Sequence, residues 1–300
     1  MTDLMNTKQV ARYLGINEKK VYYLAKGGKI PCTRVTGKWS FPKKLIDQWI
    51  EESAAGLVQR SGKDRDESFL LAAGSDDPSL GILRELYAAQ TTPTSLFMAT
   101  VGSNAGLIAL RDGVTDFALA HLFDSATGEY NLPFIKKMPL AQSVLVTLFY
   151  RDLGILVRPG NPRSIETIAD LSRPGVRIIN RQAGSGTRHF LDQELSQRGI
   201  DSRPIAGYGV CVTTHIEVGL KILGGEADAG LATKTAAQML GLDFVPLVRE
   251  EFDLLIPKER FFRRGIQTLM GIIGSREFRN RLEAIGGYDT SESGRIMTTN

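Results

Sequence analysis

From residue 69 onward, short apolar runs alternate with patterns of helical period, and no other feature restricts the possible folds as much. The runs "FLLAAG", "SLFMAT", "FALAHLF", "VRIIN" and "AGLAT" have the length of strands, and helix-like segments follow after Pro78, from Ser103, from Ser185 and through Met239. Strand and helix in alternation predict a mainly parallel sheet with helices on its faces, an α/β architecture. Two longer strand-rich passages, "SVLVTLFYRDLGILVRPG" and "DFVPLVREEFDLLIP", break the rhythm and are read as crossovers between two lobes.

The first 65 residues differ in kind. They carry 13 Lys+Arg against 6 Asp+Glu, or +7, while the rest of the 300-residue chain carries 24 against 27, or −3. A basic segment on a mildly acidic body points to a polyanionic partner for the N-terminus alone. Within "MNTKQVARYLGINEKKVYYLAKGGKIPCTRVTGKWSFPKKLIDQWIEES" the pattern predicts helix, turn, helix, hairpin, helix. Thr7 is read as the cap of the first helix, Val10, Ala11 and Leu14 as its buried face, and Gly15 as its left-handed stop. Asn17 caps a second helix that turns Val21 and Leu24 inward and leaves Lys19, Lys20 and Tyr23 outward. After Gly27 and Gly28 comes a two-stranded wing with its turn at Thr36 and Gly37 and with Trp39 in the hairpin core. A helix presented after a short turn suits the DNA major groove.

Through "TKQVARYLGI", "KVYYLAKGGKIP" and "TRVTGKWSFPKKLIDQWI" this segment resembles the excisionase-like, or MerR-like, helix-turn-helix family. The resemblance implies contacts to double-stranded DNA from Lys19, Lys20 and Tyr23 on the second helix and from Arg34 and Lys38 on the wing. Cations there would meet phosphates, and the helix positions could reach base edges. An ordinary solvated basic face is the alternative reading of the same residues. The winged helix-turn-helix is placed at 1–52, a charged linker at 53–66, and a ligand-binding domain at 67–300.

That larger region carries "GSDDPSL", "VGSNAGLIALRDGVTDFALAHLFD", "GEYNLP", "RPGNP", "NRQAGSGTR", "TTHIEVGLKILGGEADAG" and "LDFVPLVREEFDLLIP". In these it resembles the PBP-like domain, a type II periplasmic-binding-protein fold similar to molybdate- and tungstate-binding proteins. The resemblance implies one lobe from about 67–150 and 254–300 and another from about 151–253.

Four Ser/Thr/Gly turns stand where strands give way to helices: Gly74-Ser75, Gly102-Ser103-Asn104, Gly184-Ser185-Gly186-Thr187 and Thr213-Thr214. Helix starts leave backbone N–H groups unpaired and carry partial positive charge, so such turns suit an anion. In open α/β sheets they gather at the carboxyl ends of the strands. Each serine or threonine alone also reads as a plain helix cap. The candidate ligand set is Ser75, Ser103, Asn104, Arg181, Ser185, Gly186, Thr187, Arg188, Thr213, Thr214 and His215, with Arg181 and Arg188 as countercharges. Asp76 and Asp77 argue the other way, since carboxylates beside an anion cost energy unless they point outward and cap their helix. His121 is read as a hydrogen-bonded structural histidine.

No catalytic residue is assigned: "GSGTR" is not a nucleophile elbow, and no phosphate-loop motif is present. Cys32, Cys211 and the three histidines follow no metal-ligand spacing, so no metal and no cofactor are expected. The chain lacks a secretory pattern and any run of about 18 apolar residues, which places it in the cytoplasm and off the membrane. The combined reading is a non-enzymatic transcription regulator, working as a homodimer, that senses a small oxyanion, with molybdate or tungstate leading. Sulfate, phosphate or a molybdopterin-related ligand, and beyond those a cytoplasmic carrier or enzyme, remain the alternatives.

Overall fold

The computed structural model describes residues 4–34, 37–50, 69–91, 95–138 and 142–299. The chain divides into two compact units, Met1–Arg65 and Asp66–Asn300.

In the first unit, β1 (Leu4–Asn6) pairs antiparallel with β2 (Ser40–Pro42) and leads into α1 (Thr7–Leu14) and α2 (Glu18–Lys26). A third helix, α3, occupies 43–50. The cap of α1 is Asn6 rather than Thr7: its side chain accepts from the Gln9 N–H at 2.9 Å, and the Gln9 side chain accepts from the Asn6 N–H at 2.8 Å. The amide of Asn6 fits this reciprocal box, while Thr7 is buried as the first helical residue. Gly15 stops α1 at φ 65°, and Asn17 caps α2 through the Lys20 N–H at 2.8 Å. Met5, Val10, Val21, Ile30, Phe41 and Ile46 form the small core, with Leu24 and Trp39 packed against it. Two bonds between Thr33 and Ser40 close the base of the wing at 2.8 and 2.9 Å. Thr36, at the expected wing turn, and the expected linker lie outside the described residues.

The second unit is built on a ten-stranded sheet. Eight of its strands are β3 (Phe69–Gly74), β4 (Ser95–Thr100), β5 (Phe117–Ala120), β8 (Ser143–Val157), β9 (Ile178–Arg181), β10 (Cys211–Val212), β11 (Ala229–Thr233) and β12 (Asp243–Pro257), and they lie in the order β10-β9-β11-β8-β12-β5-β3-β4. The short pair β6 (Phe123–Asp124) and β7 (Glu129–Tyr130) stands apart, while β13 (Tyr288–Asp289) and β14 (Ile296–Thr299) also pair with β8. β8 and β12 are the two long passages of the sequence. They run antiparallel from Asp243 opposite Val157 to Pro257 opposite Ser143. One end of this ribbon joins parallel β3, β4 and β5, and the other joins antiparallel β11 and, beyond it, parallel β9 and β10.

Each end of the ribbon has its own packed interior, so the unit is two-lobed. Lobe 1 packs α4 (Leu80–Gln90), α11 (Arg264–Ile273) and α12 (Arg276–Ile285) on residues such as Leu83, Phe117, Phe149 and Phe252. On the same lobe α5 (Ser103–Arg111) and α6 (Leu132–Lys137) cover Leu107, Leu122 and Ile135. Lobe 2 packs α7 (Gly186–Gln197) over Ile155, Phe190 and Leu231, and α8 (His215–Leu223) and α9 (Lys234–Leu240) over Leu156, Val218 and Ala236. The short helix α10 (Lys258–Phe261) follows β12. Among the described residues no helix is long and apolar enough to cross a membrane.

Candidate functional site

On α2 of the first unit, Lys19, Lys20 and Tyr23 are all exposed, with Tyr23 60% accessible. The Lys20 ammonium stands 5.4 Å and the Lys29 ammonium 5.8 Å from the Tyr23 ring centroid. On the wing Arg34 and Lys38 are exposed as well; the Arg34 guanidinium lies 5.4 Å over Trp39 and donates from Nε to the Gly37 carbonyl at 3.1 Å. Helix and wing thus each present cations to solvent, as a phosphate-binding face requires.

In the second unit the turns of lobe 1 meet those of lobe 2. Gly102 has φ 87°, and a Cβ there would stand 3.0 Å from the Gly184 carbonyl oxygen. The Asn104 N–H donates to that same carbonyl at 3.3 Å. At Gly186, the first residue of α7, a Cβ would fall 2.5 Å from the ring of His121, which follows β5. Only glycine allows these approaches, which explains two of the glycines in the candidate turns.

Behind the contacts lies a buried polar cluster. The Ser75 and Ser103 hydroxyls are 2.5 Å apart, and the His121 N–H donates to the Ser103 hydroxyl at 3.4 Å. Arg151, at the middle of β8, donates to Glu250 at 2.9 Å and to Asp77 at 2.6 Å, and its guanidinium lies 4.7 Å over the Phe252 ring. Burial works against its charge, but Glu250 and Asp77 outweigh that and hold its pKa above the ordinary value. Arg181, at the end of β9, donates from Nη2 to the Thr213 carbonyl at 2.6 Å. Burial pulls its pKa down to about 10, with Asp76 opposing the shift.

Asp76 does not meet the condition under which it would leave an anion undisturbed. Its carboxylate does not point outward; it crosses the cleft and accepts from the His215 N–H at 2.9 Å, standing at the start of α8 as an internal anion. Asp77 does accept from the Ser79 N–H at 2.7 Å, but it is buried and serves Arg151 and Tyr288 too. Burial raises the pKa of Asp76 against the His215 N–H and Arg181, and raises that of Glu250 against Arg151.

Eight buried polar atoms here have no hydrogen-bond partner among the described residues: both ring nitrogens of His121 and of His215, Nε and Nη1 of Arg181, Nη2 of Arg151, and Oγ1 of Thr187. An unsatisfied buried polar group costs about 1–3 kcal/mol, so a cluster of them marks a place built for something else. His121 is therefore not the hydrogen-bonded histidine expected. Its ring stacks 5.6 Å from Phe252, and its Nε2 stands 3.9 Å from Glu250, too far for a hydrogen bond.

Other candidates are committed elsewhere. Ser185 caps α7 by accepting from the Arg188 N–H at 3.2 Å. Thr213 and Thr214 give their hydroxyls to Glu217 at 2.8 and 3.1 Å, a capping arrangement for α8 that keeps them out of the cluster. Arg188 pairs with Asp192 at 2.7 Å and lies 4.2 Å over the Tyr208 ring, so its charge already has a partner within lobe 2. Sequence reasoning misses Arg151 and Glu250. The available signal is a charged residue at the centre of each long apolar passage, and the register sets the two opposite each other.

The histidines make stability depend on pH. Burial, then the neighbouring arginines, hold both well below 6.5, so their contribution is complete above that pH and is lost below it. Each should cost up to about 1.4 kcal/mol per pH unit once the unfolded imidazoles protonate. Asp76 and Glu250 act in the opposite sense: their raised pKa values favour the fold in acid, and that contribution fades as pH rises through the folded values. In urea titrations from about pH 7.5 to about pH 5.5, His121→Asn combined with His215→Asn should remove the histidine loss and leave only the carboxylate trend. Equal pH slopes for parent and variant would refute the assignment.

Comparison with known proteins agrees with the fold. Residues 84–274 match the model of the PBP superfamily domain, and residues 4–54 match that of a helix-turn-helix domain. The chain is 29% identical to the uncharacterized protein YvgK of Bacillus subtilis (strain 168), covering 99% of this chain and 98% of that one. It is 30% identical to the molybdate-binding protein ModA of Mycobacterium tuberculosis (strain ATCC 25618 / H37Rv) over 42% of this chain and 47% of that protein. The crystal structure of an ABC-type phosphate transport receptor from Vibrio cholerae superposes with a TM-score of 0.51 at 18% identity, covering 73% of this chain and 99% of that one, which shows the shared fold. With its two lobes joined by a double crossover and its N-terminal helix-turn-helix module, the chain belongs to the PBP superfamily, in a form that carries an excisionase-like helix-turn-helix domain.

Proposed function

We propose that this protein is a transcription regulator in which a small oxyanion, captured between the lobes, changes how a pair of helix-turn-helix heads fits its DNA. The observation that carries the reading is the set of unpartnered buried donors on Arg181 and Thr187 of lobe 2 and on Arg151 of the ribbon, which holds Asp77 of lobe 1. Oxyanions offer several acceptors, and guanidinium groups and hydroxyls satisfy them with short, charge-assisted bonds. The ligand can shift the lobes only by its differential affinity for the closed form.

Molybdate or tungstate is the first ligand to try, since ModA is named for binding molybdate and resembles part of this chain. The buried carboxylates favour a second reading. Molybdate and tungstate bring no proton at neutral pH, whereas hydrogen phosphate can donate one to Asp76 or Glu250, which stand in the same cluster. Calorimetry of the full chain against molybdate, tungstate, sulfate and phosphate separates these. Operator binding with and without the anion that binds then tests the switch: identical DNA affinity with the anion demonstrably bound would remove it.

For the DNA face, Lys19→Ala or Lys20→Ala should weaken binding uniformly across sequences and reduce the salt slope by roughly one each. Affinities measured over a salt series check this, and unchanged slopes would take both residues out of the interface.

A further inference from the structure

Lobe 1 carries a second surface, away from the cleft. β4 ends the strand order and, among the described residues, pairs only with β3, so one row of its N–H and C=O groups faces outward. Monomeric proteins usually block such an edge with lysine, proline or a bulge, and "SLFMAT" carries none of these. Along the edge runs a groove of about 1000 Å³ with β4 as its floor and Gly81 and Ala88 of α4 and Ala105 and Ala109 of α5 among its walls. The walls are small enough for another backbone to come close. Phe97 is 56% exposed and Val101 40% exposed within it.

We propose that two copies of the chain join here, each β4 pairing antiparallel with the other about a two-fold axis. Such an axis lays one outward row of backbone groups on its complement and covers Phe97 in both copies. The groove also carries adjacent opposite charges on α4, Arg84 and Glu85, both exposed, with Glu85 also paired to Arg281 of its own copy at 2.8 Å. A two-fold axis makes this pair self-complementary, setting Arg84 toward the partner subunit's Glu85. The need for a pair rests on the regulator reading above, because helix-turn-helix heads bind half-sites in twos. The open edge does not depend on it.

Sedimentation equilibrium of the full chain, without DNA or anion, tests the proposal. The parent should be a dimer, and Phe97→Asp should weaken association at least roughly 100-fold while each copy keeps an unchanged circular-dichroism spectrum, since the side chain is largely exposed in one copy. In a Cys211→Ser background, Phe97→Cys should cross-link between copies on oxidation, while Leu223→Cys on α8 should not. A parent that stays monomeric up to its solubility limit would overturn the interface, as would a dimer that Phe97→Asp leaves intact. So would a monomer whose groove takes up a small apolar molecule or the chain's own linker instead. A dimer that ignores every oxyanion leaves this interface standing and removes only the ligand switch.

Discussion

Arg151→Met should lower the stability of the Asp66–Asn300 unit by about 3–5 kcal/mol and its melting temperature by roughly 10 °C. The guanidinium is the cation shared by Asp77 and Glu250, at 2.6 and 2.9 Å, and all three side chains are buried. Removing it leaves two buried carboxylates without their shared cation, Asp77 with only the Ser79 N–H and the Tyr288 hydroxyl among the described residues, so that they ionise at a cost or take up protons. Taking the charge off one of them at the same time should recover part of the loss. In a double-mutant cycle, Arg151→Met with Glu250→Gln should therefore be more stable than Arg151→Met alone. Urea titration of each variant measures the cycle. A cost below about 1 kcal/mol for the single change would mean that the cluster is not held by this cation.

Arg181→Met should behave in the reverse way. Without an anion its stability should change by less than about 1 kcal/mol or rise, because the fold keeps this guanidinium at a cost, with Nε and Nη1 unpartnered and its pKa pulled down to about 10. Affinity for the anion should fall at least roughly 100-fold, since two charge-assisted bonds are each worth about 1.5–3 kcal/mol. Asp76 loses a nearby positive charge in this variant, but it retains the His215 N–H and its raised pKa lets it take a proton. Calorimetry and denaturant titration on the same protein give both numbers. Unchanged affinity would exclude Arg181 from the site, and a loss of several kcal/mol without anion would recast it as a structural residue.

The architecture is legible in the sequence because its signals are local. Apolar runs of strand length, the Asn17 cap and the Gly15 stop each act within a few residues. The two long passages can be read as crossovers because fifteen apolar-rich residues exceed what one lobe of such a sheet accommodates. The site is less legible. Its chemistry depends on pairs far apart in the chain: Asp76 meets His215 across 139 positions, and Arg151 meets Glu250 across 99. Local composition also cannot tell a hydroxyl that faces a ligand from one that closes its own helix. Thr213 and Thr214 mislead for that reason, since Glu217 lies within their own first turn. Arg188 sits beside the glycine-rich turn in sequence, yet the twist of α7 carries it to Asp192 and Tyr208. Arg181 flanks the same turn from the end of a strand, and from there its Nη2 reaches the Thr213 carbonyl.

The glycine contacts at the mouth of the cleft carry a kinetic consequence. With Gly102 against Gly184 and Gly186 against His121, the two halves touch at backbone distance. On the proposed function, an anion arriving from bulk water waits for a spontaneous parting of the halves, and the Asp76 bond to the His215 N–H is one of the latches that has to release. Uptake rates would level off at high solute concentration, at a plateau equal to the frequency of that parting rather than to any property of the solute.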